Sequence, residues 1–409
     1  MTIAGVLGSG VLILPEVTAR LAGPAAIVAW AIMALMALPM AWTFGRLAVV
    51  RPDAGGIASY VRRAFGPRAG RMVGILYLGT VPVAAPAAAL IGAGYLGALL
   101  NWSHIDVVVV AGSLLTLAVV VNLVGIEWSG WAATALVLAI SLLLLAAVAS
   151  ALPHIQAGSY TPFWPHGWWP VGQSIALLYW AFVGWEMIGH LAEEFVNPQR
   201  DIPRALGLAV GVIAILYLSV SAVTIGTETY RTGLGDAGLA RLIGLGLGRA
   251  GRVATTILAL LITYGTMHTY IAGFSRLVYA QAREGDLPRC FAVLHARWRT
   301  PFRVFLALTI PFTVILGVSA FFQVSLASLI VWPSAVFIVL YILAMASAWR
   351  IVPNHQGRLA TFLSGLVSVL ALAFVGWAVV LPLTLMAAGW WLLPIHKGQG
   401  QEQIKTTVS

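Results

Sequence analysis

The chain has 409 residues, of which 60% are hydrophobic and only 9% charged, with a mean hydropathy of +0.94. Soluble domains carry roughly 25% charged residues, so this composition excludes a soluble globular protein and points to a polytopic helical membrane protein. The net charge of +10 sits in loops, as membrane proteins place it, so the expected surroundings are a lipid bilayer and no nucleic-acid partner. A membrane barrel would show short alternating segments instead. The single cysteine, Cys290, excludes an intrachain disulfide.

The apolar runs predict the spans in order. Segment 1 covers residues 1–20 and is interrupted at Gly8-Ser9-Gly10. Segment 2 covers about 24–46, and a basic loop with Arg46, Arg51, Arg62, Arg63, Arg68 and Arg71 follows. Segment 3 covers about 72–100, with kinks expected at Pro82 and Pro86. Segments 4 and 5 cover 105–124 and 129–151, and a Trp- and Pro-rich loop at 152–169 suits the interfacial aromatic belt. Segment 6, 170–195, is interrupted at Gly184, and segment 7 covers 204–227. A Gly-rich loop with Arg231, Arg241 and Arg249 leads into segment 8, about 250–283. The uncharged run 304–349 is too long for one span and is divided at Gln323 into segments 9 and 10. The run 359–395 is divided near Pro382 into segments 11 and 12, and a polar tail ends the chain at 396–409.

Orientation follows from the arginines and lysines. With both termini inside, 18 of the 23 basic residues lie on the inner side, a strong positive-inside bias. The outer side keeps Arg20, Arg231, Arg241, Arg249 and Arg252. The breaks in segments 1 and 6 are five spans apart, an odd number, so two halves with inverted topology are expected. The units are residues 1–151 (first repeat), 170–350 (second repeat) and 357–395 (two extra helices).

The breaks carry the chemistry. Between Trp128 and Trp185 there is no Asp, Glu, Lys or Arg; then Glu186 stands inside a span. A charge there costs a few kcal/mol or more, about 3 on insertion scales, and marks function by default. Unwinding at Gly8-Ser9-Gly10 frees backbone N–H groups at a positive helix end, which suits a carboxylate. The carbonyls of Val6, Leu7, Phe182 and Val183, released at the breaks, suit an ammonium group. Close helix packing by small residues is the competing account of the Gly-Ser-Gly run. Glu186 and His190 are four apart on one helix face, with Glu194 a turn further on. They suit a proton relay or gate; alternatively, Glu186 hydrogen-bonds freed backbone groups. His268 reads as a structural hydrogen-bonder. Gly246-Leu247-Gly248-Arg249-Ala250-Gly251 fits G-x-G-x-x-G, but no strand precedes it. No metal, hydrolase or cofactor signature is found, so no cofactor is expected.

These residues resemble a family, the amino acid–polyamine–organocation transporters with the leucine-transporter-like fold. The likeness rests on Gly8-Ser9-Gly10-Val11, Pro52-Asp53-Ala54-Gly55-Gly56, Phe182-Val183-Gly184-Trp185-Glu186, Glu193-Glu194-Phe195-Val196-Asn197-Pro198 through Ala205, and Arg283-Glu284-Gly285-Asp286-Leu287-Pro288. Within the family the chain is most similar to bacterial exporters of methionine and branched-chain amino acids. The resemblance implies an all-α 5+5 inverted repeat with two extra helices, twelve spans in all, in the bacterial inner membrane. It implies a substrate carboxylate on Ser9 and Gly10, and an amino group on the carbonyls of Val6, Trp180 and Val183. Trp180 and Tyr270 match aromatic gates, and Glu186 matches a proton-sensing carboxylate. Segment 5 lacks the lysine of some proton-coupled relatives.

The expected function is secondary transport of neutral, mostly apolar L-amino acids, as efflux coupled to protons. The site residues are Val6, Gly8, Ser9, Gly10, Trp180, Phe182, Val183, Gly184 and Tyr270, with Glu186 and His190 for the proton. An uptake permease or exchanger is the nearest alternative. A substrate-sensing receptor would need a signalling domain for which the chain has little room, and no catalytic cluster supports an enzyme.

Overall fold

The computed structural model describes residues 8–50, 56–125, 130–188, 197–231, 237–352 and 355–391. Every regular element among them is helical, as a bilayer demands of a chain that must satisfy its own backbone groups. The first half comprises α1 (Gly10–Ala22), α2 (Ala26–Val50), α3 (Gly56–Phe65), α4 (Pro67–Leu78), α5 (Val81–Leu100), α6 (His104–Val124) and α7 (Gly130–Ala151). The second half comprises α8 (Trp169–Phe182), α9 (Pro198–Gly226), α10 (Gly238–Glu284), α11 (Phe302–Phe322) and α12 (Leu326–Ile351). Two more, α13 (His355–Leu372) and α14 (Val380–Trp391), complete the described chain.

Among the described residues eight helices are long and apolar enough to cross a membrane. A ninth is added if the pair Gly357–Leu372 and Gly376–Trp391, bent by 120°, is one span. The sequence reading expects twelve, and the difference lies at the breaks. The stretch Gly10–Val50, 41 residues, is about 60 Å of helix, twice a bilayer core. It turns at Gly23, where φ is +62°. Segment 6 falls below the length needed because α8 ends after 14 residues.

Several boundaries differ from expectation for local reasons. The division of 359–395 falls at Gly376 (φ +59°), not at Pro382. Pro382 sits in the first turn of α14, where a missing N–H costs nothing. The kink in segment 3 falls at Gly79-Thr80, one turn ahead of Pro82, whose ring displaces the carbonyl four residues earlier. The Gly-rich stretch before segment 8 is helical from Gly238, with a non-helical residue at Gly248 (φ +56°, ψ −141°). The basic loop after segment 2 contains the short helix α3. The division at Gln323 stands as read: Gln323 is left-handed at φ 49° and ends α11.

The centre of the molecule is α8, which packs on α1, α2 and α12. Trp30 of α2, Phe182 of α8 and Tyr217 of α9 form an aromatic cluster with centroids 5.3 to 6.1 Å apart. Tilted and edge-on rings of this kind add about 0.5–1.5 kcal/mol per pair beyond the area they bury.

Candidate functional site

The second break is built around one carboxylate. The last helical bond of α8 runs from the Val183 N–H to the Tyr179 carbonyl, 3.0 Å. Val183 is then extended, and Gly184 takes φ 117°, a conformation that a residue with a Cβ rarely adopts. The Gly184 N–H would donate to the Trp180 carbonyl in a continuing helix. It donates instead to Glu186 Oε2 at 2.9 Å, which leaves the Trp180 carbonyl without its helical donor. The Tyr341 hydroxyl, from α12, donates to the same Oε2 at 2.6 Å. Glu186 is 8% exposed, and Trp185–Met187 forms a single 3-10 turn around it. Glu186 therefore ties both sides of its own break to a helix 155 residues away. Tyr77 of α4 and Tyr270 of α10 lie within electrostatic reach of it. Tyr341 is held edge-on by Phe44 and Tyr179, and the Tyr179 hydroxyl donates to Ser368 Oγ at 2.8 Å.

The first break abuts the second. Ser9 precedes α1, and its carbonyl accepts from the Leu12 N–H at 3.2 Å. Its side chain makes no cap bond. Ser9 is 1% exposed, and its Oγ is buried without a hydrogen-bond partner among the described residues. A buried hydroxyl with no partner costs about 1–3 kcal/mol. A Cβ on Gly10 would stand 2.8 Å from Trp180 Cδ1 and 3.1 Å from Ala181 Cα. Gly10 thus sets the contact between α1 and α8. Gly8 faces α10, its nearest foreign atom being Thr266 Oγ1 at 4.0 Å.

Gly10→Leu should for that reason fail by misfolding, with a melting temperature in detergent well below wild type. Overpacking against backbone costs about 1–3 kcal/mol or more. Gly8→Ala should melt like wild type. Equal melting of all three would remove the close approach as the reason for glycine at position 10.

The remaining sequence-predicted residues fall as follows. Trp180 is 8% exposed and lies against Gly10. Val183 is buried. The Phe182 ring belongs to the aromatic cluster, so only its backbone can reach the break. Tyr270 is half-buried. Val6 and His190 lie outside the described residues, as do Leu7 and Glu194. His268 is buried, with its Nδ1 2.9 Å from Asn122 Nδ2, and it stacks on Tyr264.

Two features escape sequence reasoning. Tyr341 is a lone tyrosine in an uncharged run, with no local signal of its role. The other is Glu16 of α1, 1% exposed, which pairs with Arg20 and, across 225 positions, with Arg241 of α10. Arg20 Nε also donates to the Tyr230 carbonyl at 2.9 Å. The i, i+4 spacing of Glu16 and Arg20 is a readable signal; Arg241 is not reachable from it.

A family model described as amino acid permease matches residues 1–395. The uncharacterized amino acid permease YecA of Bacillus subtilis is 40% identical over 94% of this chain and 91% of its own length. The L-methionine/branched-chain amino acid exporter YjeH of Escherichia coli is 29% identical over 91% of this chain and 88% of its own. The branched-chain amino acid permease BcaP of Bacillus subtilis is 25% identical over 73% of this chain and 69% of its own.

Proposed function

This chain belongs to the amino acid permease family, and we propose that within it the protein is a secondary transporter exporting neutral, mostly apolar L-amino acids in exchange for protons. The observation that carries the site is the unpartnered, buried Ser9 Oγ at the start of α1, directly beside the α8 break. The substrate carboxylate takes Ser9 Oγ and the free N–H groups at the start of α1, where the helix dipole also favours it. The ammonium takes the Trp180 carbonyl, released because the Gly184 N–H turns to Glu186. The bundle in this reading is a 5+5 inverted repeat with two extra helices and twelve spans, counted through the breaks, with both termini on the inner side. Glu16, Arg20 and Arg241 then close the outer end of α1 against α10.

Apolar substrate specificity is supported by the residues beside the break. Among the described residues the carboxylate there is Glu186, which already accepts from Gly184 and Tyr341 and so is not offered to a cationic side chain. The substrates for which YjeH is named, methionine and branched-chain amino acids, are of the same apolar kind.

The test is counterflow in proteoliposomes loaded with single amino acids. Leucine or methionine inside should drive labelled leucine uptake, while arginine inside should drive none. Exchange by arginine as fast as by leucine would overturn the specificity. An imposed proton gradient that leaves net flux unchanged would overturn the coupling. A wholly inert protein would leave the receptor reading ahead.

A further inference from the structure

We propose that the groove between α2 and α9 is a binding seat for one anionic phospholipid of the bilayer, its phosphate held by Arg46 and one acyl chain lying along the groove. This site is separate from both helix breaks. A cavity of about 110 Å³ opens between the two helices, lined by Leu38, Trp42, Arg46, Pro203, Gly207 and Val210 among others. Its walls are apolar except at one end. Gly45 lets the helices touch, since a Cβ there would stand 2.6 Å from Leu206 Cδ1. The groove is open at Gly207, where a Cβ would meet nothing within 4 Å.

The polar end is Arg46. Its Nε is buried and has no hydrogen-bond partner among the described residues. Its guanidinium lies over the Trp42 ring, 5.7 Å from the centroid. A guanidinium with donors to spare is matched by a phosphate, which accepts them in pairs. Arg200, exposed, borders the Pro203, Gly207 and Val210 stripe one turn further out. Asp201 lies on the opposite face of α9. Among the described residues the charges along the stripe are thus positive, which favours an anionic headgroup over a zwitterionic one.

The dimensions agree with a lipid. From Arg46 to Leu38 is eight residues of α2, about 12 Å of rise, and Leu38 is half exposed toward the surroundings. The charge therefore stands at one end of an apolar channel that runs into the hydrocarbon, the layout of basic pockets between spans that hold lipid headgroups. The end with Arg46 is the one carrying the arginine-rich loops. A soluble phosphate would use the arginine and leave the channel unused.

Native mass spectrometry of the full chain, delipidated in detergent and titrated with phosphatidylglycerol or phosphatidylcholine, tests this directly. Wild type should retain one phosphatidylglycerol at least tenfold more tightly than phosphatidylcholine, and glycerol phosphate should not compete. Arg46→Gln should lose that preference, by roughly tenfold for a charge-assisted contact. Gly207→Phe should fill the channel and weaken both lipids, with Arg46 intact. Melting curves of the two variants confirm that they are folded. Equal retention of both lipids by wild type, or an unchanged preference in Arg46→Gln, overturns the proposal. So does displacement by glycerol phosphate, or a dimer that forms through this face whatever the lipid.

Discussion

Ser9→Ala should yield a folded protein whose affinity for its substrate is lower by about tenfold to a hundredfold. The Ser9 hydroxyl does not cap α1 and has no other partner among the described residues, so none of the contacts seen in the fold is lost with it. Removing an unsatisfied buried hydroxyl is neutral or stabilising. The melting temperature of the apo protein should hold or rise. A hydrogen bond to a charged carboxylate is worth about 1.5–3 kcal/mol, which sets the expected loss of binding. Ser9→Val adds bulk in the same buried spot and should abolish binding altogether. The combination is diagnostic, because a merely structural serine would lower stability and affinity together. Calorimetric titration with leucine beside a melting curve reads both. Unchanged affinity in Ser9→Val would sink the carboxylate site.

Glu186 separates two roles by the choice of replacement. Glu186→Ala leaves the Tyr341 hydroxyl buried without an acceptor, at about 1–3 kcal/mol, and leaves the Gly184 N–H only its longer 3.3 Å contact with that hydroxyl. It should lose transport along with a large part of its stability, and Tyr341→Phe should show a smaller loss of the same kind. Glu186→Gln keeps an acceptor oxygen for both donors and cannot titrate. If the carboxylate also carries the coupling proton, Glu186→Gln should bind and exchange substrate like wild type. It should no longer respond to pH or concentrate substrate. If its pH response matches wild type across roughly pH 5 to 8, the window in which histidine titrates, then Glu186 is only the clamp of the broken helix. His190 and His268 are then the groups to replace.

What was legible in the sequence was whatever one span decides alone. Long uncharged runs announce helices because a bilayer admits little else. A glycine beside a lone glutamate announces an interruption because both are costly inside an ordinary span. Gln323 was found for the same reason. Pro382 misled because a proline in a first turn reads, in sequence, like one that ends a helix. The span count was blurred wherever a kink joins or shortens helices, as at Gly23 and Gly184. Partners across the bundle were out of reach: Tyr341 and Arg241 meet their carboxylates only through packing. So too was the burial of the Phe182 ring among Trp30 and Tyr217, which leaves that residue only its backbone to offer.

The contact of Gly10 with Trp180 and Ala181 bears on how any alternating motion can run. With α1 and α8 touching at backbone distance, one cannot slide along the other without forcing atoms together. In the proposed site the donors at the start of α1 and the carbonyl of Trp180 therefore hold their spacing before a substrate arrives. Such preorganisation spares the entropy of assembling a site around its ligand. It also means that the two half-helices travel as a rigid pair. Opening to either side of the membrane must then come from rocking that pair against its neighbours, with the substrate carried in a holder whose shape does not change.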